Sequence, residues 1–131
     1  MRILLDTHIV LWRQTADPRL SQRTIDLMDD DANTVEVSAV SVWEVAVKHA
    51  LRQEGKIGLP LSGKQFLAEL RATGVTPLPV TPDHAATVDD LPLHHRDPFD
   101  RLLIAQSLCE GMWLLTHDAA LAAYGERVIV V

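Results

Sequence analysis

The chain has 131 residues, 47% of them hydrophobic and 23% charged, an ordinary globular balance that excludes a disordered or fibrous protein. Its length allows one domain, residues 1–131, that should bury about two-thirds of the surface exposed when unfolded. Twelve Lys and Arg against eighteen Asp and Glu give a net charge of −6. That argues against passive, charge-driven nucleic-acid binding, but not against a nucleic-acid enzyme whose carboxylates hold metal ions.

One cysteine, Cys109, excludes a disulfide framework and any multi-Cys zinc site. The apolar runs at 9–12 and 128–131 are far too short to cross a bilayer. Asp6 interrupts the apolar start too early for a secretory signal. The expectation is a soluble, cytoplasmic protein.

In chain order, residues 3–5 read as a strand, a continuous aliphatic run like those covered on both faces. Asp6 follows at once, inside an apolar stretch that runs to Trp12. A solvated charge is implausible there, and an unpaired buried one is costly. Residues 34–38 read as a second strand. From Ser41, the residues Trp43, Ala46, Val47, Ala50 and Leu51 recur at the spacing of one apolar helix face, with Gly55 as the stop. Residues 55–63, with Pro60, read as a loop. Phe66, Leu67 and Leu70 mark another helix, closed by Gly74. Residues 91–98 form a further loop. The run 99–110 is apolar almost all round, which predicts a largely buried helix with Cys109 in the core and Gly111 at its end. Residues 113–116 and 128–130 supply two more strands. Strands alternating with helices imply a three-layer α/β fold with a central parallel sheet.

In such a fold the strand ends and the helix starts share one edge, where ligands bind. Asp6 follows the first strand, Glu44 falls in the first turn of the helix begun at Ser41, Asp100 starts the helix after Pro98, and Asp118 follows residues 113–116. Asp97 is a fifth candidate. Each acid has a plain structural reading. Ser41 and Glu44 have capping-box spacing, Asp97-Pro98-Phe99-Asp100 is a good helix start, and Asp118 can cap a helix over 119–124. Glu44, Lys48 and Arg52 also make an i, i+4 salt-bridged stripe. Taken together, however, the acids would point into one crevice, where they would have to protonate or hold a cation. Oxygen-only ligands select Mg²⁺ or Mn²⁺, the ions of phosphoryl chemistry.

At these residues the chain resembles a known family. Asp6-Thr7-His8, the segment SAVSVWEVAVK at 38–48, HRDPFDRLLIAQ at 95–106 and LTHD at 115–118 look like the signatures of PIN-domain ribonucleases. The likeness is strongest to VapC-type toxins of bacterial toxin–antitoxin pairs, and it covers essentially the whole chain. It implies a PIN-like α/β/α domain and a Mg²⁺- or Mn²⁺-dependent endoribonuclease that cuts structured RNA such as tRNA or rRNA. It also implies a cognate VapB-like antitoxin and a homodimer. The family's acidic quartet carries over to Asp6, Glu44, Asp100 and Asp118, with Thr116 as the hydroxyl residue before the last acid and Asp97 as a recurrent acid ranked below Asp100. Ser107 is a small departure, standing where Ala is frequent.

An RNA approaching an acidic crevice needs a basic rim. The candidates are Arg13, Lys48, Arg52, Lys56, Arg96 and Arg101, each equally able to be an ordinary surface charge. His94 and His95 invite a metal or general-base role, weighed below loop packing. His8 and His117 flank the acids without a catalytic role from the resemblance. Trp12, Trp43 and Trp113 read as core or dimer packing ahead of base stacking. Two alternatives remain: an inactive PIN-like module that binds an antitoxin or RNA, and a nuclease for DNA. A haloacid-dehalogenase-like phosphatase needs a second Asp where His8 stands, and a receiver domain lacks its paired acids at the chain start.

Overall fold

The computed structural model describes residues 1–55 and 58–131. Four strands lie where the aliphatic runs place them: β1 (Arg2–Leu5), β2 (Thr34–Val37), β3 (Trp113–Thr116) and β4 (Val128–Val130). They form one parallel sheet in the order β2-β1-β3-β4. The helices are α1 (Thr7–Gln14), α2 (Gln22–Asp29), α3 (Ala39–Gln53), α4 (Gly63–Ala72), α5 (Pro82–Thr87) and α6 (Pro98–Glu110).

Successive strand side chains point to opposite faces, and this divides the core in two. Ile3, Leu5 and Leu115 pack with Val10, Val45, Phe66 and Leu70 from α1, α3 and α4. Leu4 and Leu114 pack with Leu103 and Ile104 of α6 and with Leu121 of a 3₁₀ segment, Ala119–Tyr124. The sheet is therefore covered on both faces, and the expected three-layer α/β architecture with a parallel sheet is the one observed. No helix among the described residues is long and apolar enough to cross a membrane.

The helix ends follow local chemistry. Asp97 accepts from the Phe99 and Asp100 N–H groups while Pro98 opens α6, and Gly111 closes it in the left-handed conformation at φ 66°. Ser62 and Gln65 form a capping box at α4.

Three expectations need correction. The Ser41–Glu44 capping box does not form, because α3 starts earlier: Ser38 is the cap and accepts from the Val40 N–H. Ser41 and Glu44 are thereby left inside the helix, both buried, with Glu44 in the second turn rather than the first. The apolar stripe of α3 is also not its buried side. Trp43, Ala46, Val47 and Ala50 are exposed, with Trp43 at 53%, while Val40, Ser41, Glu44 and Val45 turn inward. Trp43, Ala46 and Ala50 line an open apolar groove of about 970 Å³ against α4. Third, α6 is buried only through its middle, from Leu103 to Ser107; Leu108 and Cys109 reach the surface near α5, where Cys109 Sγ lies 3.1 Å from Thr87 Oγ1. Of the other indoles, Trp12 belongs to the core and Trp113 lies half-buried under Arg127.

Helices α1, α2 and α5 have no counterpart in the sequence reading; residues 9–12 of α1 are apolar on every side and give no helical period. The loop expected at 55–63 is interrupted by two residues, one of them Lys56, that lie outside the described ones; it ends where α4 begins. There Gly63 passes close to α3, and an added Cβ would come within 2.7 Å of Ala46 Cβ and 3.2 Å of Val42 O. Gly63→Ala should therefore cost about 1–3 kcal/mol through overpacking, read as a lower urea midpoint at unchanged slope. An unchanged midpoint would show that α4 can shift away freely.

Candidate functional site

Strand β1 connects outward to β2 on one side, while β3 lies on its other side, so the chain reverses direction across the sheet between β1 and β3. Crevices open at such reversals, beyond the carboxyl ends of the strands. Here the crevice is a cavity of about 220 Å³ lined by Asp6, His8, Glu44, Lys48, His95, Asp97, Asp100, His117 and Asp118. The four acids that the strand-and-helix reading singled out thus meet in space, with Asp97 beside them.

Each is placed by a different element. Asp6 leaves β1 at the cap position of α1, but its side chain makes no capping bond. Instead its Oδ2 accepts from Thr116 Oγ1 at 2.6 Å, across the β1–β3 junction. The same hydroxyl oxygen accepts from the Asp118 N–H at 3.0 Å, so Thr116 ties two of the acids together. Glu44 comes from α3, and its Oε2 receives Lys48 Nζ at 2.5 Å. A buried bond from Thr7 Oγ1 to Ser41 Oγ, 2.9 Å, joins α1 to α3 and sets Asp6 beside Glu44. Asp100 and Asp97 come from the start of α6. Asp118 Oδ1 accepts from Ala120 N–H, which makes it the cap of the 3₁₀ segment.

Two oxygens stand out. Asp6 is 3% exposed and Glu44 2%, yet Asp6 Oδ1 and Glu44 Oε1 have no hydrogen-bond partner among the described residues. A buried anionic oxygen left unmatched is costly, and a cation is the partner that suits it. The donor set is dominated by hard carboxylate oxygen, with the imidazole of His95 at its edge, which fits Mg²⁺ or Mn²⁺. His95, Asp100 and Asp118 also bring ligand atoms within 4.8 Å of one another, a group able to hold a metal.

The crowding shows in the protonation equilibria. Burial, then the charges of Asp6, Asp97 and Glu44, push the Asp100 carboxyl up to about 7, against a smaller opposing pull from His95. Burial likewise raises Asp6 above the usual carboxylate range, although the Thr116 hydroxyl works against it. Burial lowers the His8 imidazole in spite of the nearby Asp6 and Glu44 charges. For Lys48 burial works downward, but the Glu44 carboxylate, with Asp97 and Asp100, outweighs it and keeps the ammonium charged.

The basic candidates divide. Lys48 lines the cavity, and Arg52 and Arg96 are exposed. Arg13 is not at the cavity; it pairs with Asp29 at 2.9 Å. Arg101 is spent on the fold, because its guanidinium donates to the carbonyls of Val88, Leu91, Pro92 and His95 and to Tyr124 Oη. The residue that sequence reasoning undervalued is His95. Its Nε2 lies 2.9 Å from Asp100 Oδ2 and 3.5 Å from Asp118 Oδ2. Its position just ahead of Asp97 and Asp100 was the available signal. His8 and His117 also line the cavity, their rings 5.2 Å apart and both packed against Trp12.

Comparison with known proteins bears on the fold and the family. The PIN domain family profile matches residues 3–127. Over 123 residues the chain is 32% identical to Ribonuclease VapC22 of Mycobacterium tuberculosis (strain ATCC 25618 / H37Rv), covering 93% of this chain and 91% of that one. Among solved structures, VapBC2 of Rickettsia felis, bound to a promoter DNA fragment, superposes with a TM-score of 0.68 at 14% identity, covering 100% of this chain and 98% of that one. FitAcB of Neisseria gonorrhoeae gives 0.62 at 20%, covering 97% and 96%. VapBC-5 of M. tuberculosis gives 0.60 at 20%, covering 99% and 97%. At those identities the structures speak for the fold, and the family rests on the profile and the VapC22 relative: the chain is a PIN-domain protein of the VapC type.

Proposed function

We propose that this chain, as a single PIN domain over residues 1–131, is a Mg²⁺- or Mn²⁺-dependent endoribonuclease, the toxin of a toxin–antitoxin pair, hydrolysing phosphodiester bonds in structured RNA. The observation that carries the reading is the pair of buried, unpartnered carboxylate oxygens on Asp6 and Glu44 in a cavity ringed by three further acids. The name of the 32%-identical relative supports ribonuclease activity. The similar VapBC structures support a VapB-like antitoxin as partner, with a homodimer and a cytoplasmic location as the companion expectations.

In this reading Asp6, Glu44, Asp100 and Asp118 hold the ion. When bound, the ion supplies Lewis acidity and a water activated near neutral pH for in-line attack on phosphorus. The remaining residues position. Thr116 holds Asp6 Oδ2 and leaves Oδ1 without a partner among the described residues, and Lys48 balances Glu44. Asp97 caps α6, whose N-terminus, like that of α1, favours a phosphate nearby. Among the described candidates, Lys48, Arg52 and Arg96 are the side chains left to meet the RNA backbone.

The test is cleavage of total cellular RNA by antitoxin-free protein in Mg²⁺, beside EDTA and Glu44→Gln controls. Discrete fragments with 5′-phosphate and 3′-hydroxyl ends, lost in both controls, are expected. Fragments ending in 2′,3′-cyclic phosphate, or cleavage that survives EDTA, would refute the metal-based reading. An inert, metal-loaded protein would point to a binding module, and equal cleavage of DNA would move the substrate class.

A further inference from the structure

We propose that His95 is a positioning residue of the acidic site: its imidazole, with the proton on Nε2, fastens Asp100, beside Asp118, in the arrangement that accepts the ion. This rests on the metal-dependent reading above but assigns His95 a role that the acidic quartet leaves open.

The assignment of the proton comes from the ring's other nitrogen. The Arg96 N–H donates to His95 Nδ1 at 3.1 Å, so Nδ1 is an acceptor and the neutral ring carries its hydrogen on Nε2. Nε2 then donates to Asp100 Oδ2 at 2.9 Å, and Asp118 Oδ2 lies at ion-pair distance, 3.5 Å, from the same nitrogen. The imidazole thus holds the acid at the start of α6 and stands beside the acid in the turn after β3. Serving as an ion ligand through Nε2 would need the opposite tautomer, which would set a ring N–H against the Arg96 N–H. The arrangement favours a donor to the ligands over a ligand.

The backbone of His95 is held with unusual care for a surface loop. Its N–H donates to Tyr124 Oη at 2.9 Å, and its carbonyl accepts from Arg101 at 3.4 Å and from Tyr124 Oη at 3.5 Å. Arg101 also bonds Tyr124 Oη at 3.2 Å and the Pro92 carbonyl at 3.1 Å. Arg101 comes from α6 and Tyr124 from the end of the segment that Asp118 caps, so both supports belong to the elements that carry the two acids. A ring held this firmly can set carboxylate geometry, which a loose loop histidine cannot.

Two measurements test this on the full chain. Nitrogen-15 NMR of the metal-free protein should show the His95 ring with Nδ1 bare and Nε2 protonated; a proton on Nδ1 would overturn the proposal. Calorimetric titration with Mg²⁺ and with Mn²⁺ should show both ions bound about 10-fold or more weakly by His95→Ala, to a similar degree, with the melting temperature little changed. His95→Gln, which can return an N–H near the Nε2 position, should recover most of the affinity, and Tyr124→Phe should fall between. Parental affinity in His95→Ala would overturn the proposal and leave the metal site standing. A loss confined to Mn²⁺ and not rescued by Gln would also overturn it, by making His95 a nitrogen ligand. If the parent chain binds neither ion, both readings fail. If it binds ions through His95 and cuts no RNA, the nuclease reading alone fails.

Discussion

Asp6→Asn should raise the melting temperature of the metal-free protein and at the same time abolish metal binding and RNA cleavage. The side chain is 3% exposed, one oxygen is unpartnered, and burial holds its pKa above the ordinary value, so the folded state bears a cost for its charge. The amide removes that charge, keeps an oxygen for the Thr116 hydroxyl and turns an N–H₂ group toward the remaining carboxylates. A gain of about 1 kcal/mol, or roughly 3–5 °C for a chain of this size, is the expected scale. The functional loss runs the other way. Removing a carboxylate ligand forfeits several kcal/mol of charge stabilisation at the reacting phosphate, so cleavage should fall by about 10³-fold or more. Thermal scans with EDTA and with Mg²⁺ separate the two effects: the parent should gain stability on adding Mg²⁺, and Asp6→Asn should not. A variant that melts lower without metal yet still responds to Mg²⁺ would place the ion elsewhere.

The metal-free protein should also lose stability as pH rises from about 4 to 7, the reverse of the usual behaviour of paired carboxylates. The Asp100 carboxyl titrates near 3.8 when unfolded and at about 7 when folded. Between those values the folded state holds a proton that the unfolded chain has released, so the pH slope of the unfolding free energy is negative. Asp6, also raised, adds in the same direction. Asp100 keeps a solvent-facing edge, so screening reduces its share to on the order of 2 kcal/mol across the window. A bound divalent ion reverses the slope, because it favours the ionised carboxylates and expels the proton. The difference in melting temperature between Mg²⁺ and EDTA should be small near about pH 5 and largest near about pH 8. A constant difference across that range would show that Asp100 is already ionised without metal.

The strands and the two ends of α6 were legible because their causes are local, whereas α1, α2 and α5 were not read at all. The aliphatic runs behind β1, β2, β3 and β4 mark strands covered on both faces, and Gly111 and the Asp97-Pro98 pair mark the ends of α6 whatever lies around them. Asp6, Glu44, Asp100 and Asp118 were legible for a related reason: a parallel sheet sends its strand ends and helix starts to one edge, so acids at those positions converge by topology alone. The capping-box reading of Ser41 and Glu44 failed because Ser38, three residues earlier, is an equally good cap. The choice between them was made by the bridge from Ser38 to Leu78 and the Thr7–Ser41 hydrogen bond, both contacts between segments distant in the chain.

Other features belong to the tertiary structure outright. Nothing in the periodicity of α3 says that Trp43 faces solvent while Glu44 turns inward; the sheet edge and the acidic cavity decide that. Arg101 reads as a surface charge until the loop before α6 folds over it and offers its carbonyls. His95 becomes a partner of two acids only when β3 and α6 are side by side. Sequence by itself determined the four strands, the presence of α3, α4 and α6, and which carboxylates reach the switch edge, since these follow from backbone preference and connectivity. The fold alone decided the raised pKa of Asp6 and Asp100 and the partners that hold the acids, because desolvation and hydrogen bonding depend on atoms up to 110 residues away, as between Asp6 and Thr116.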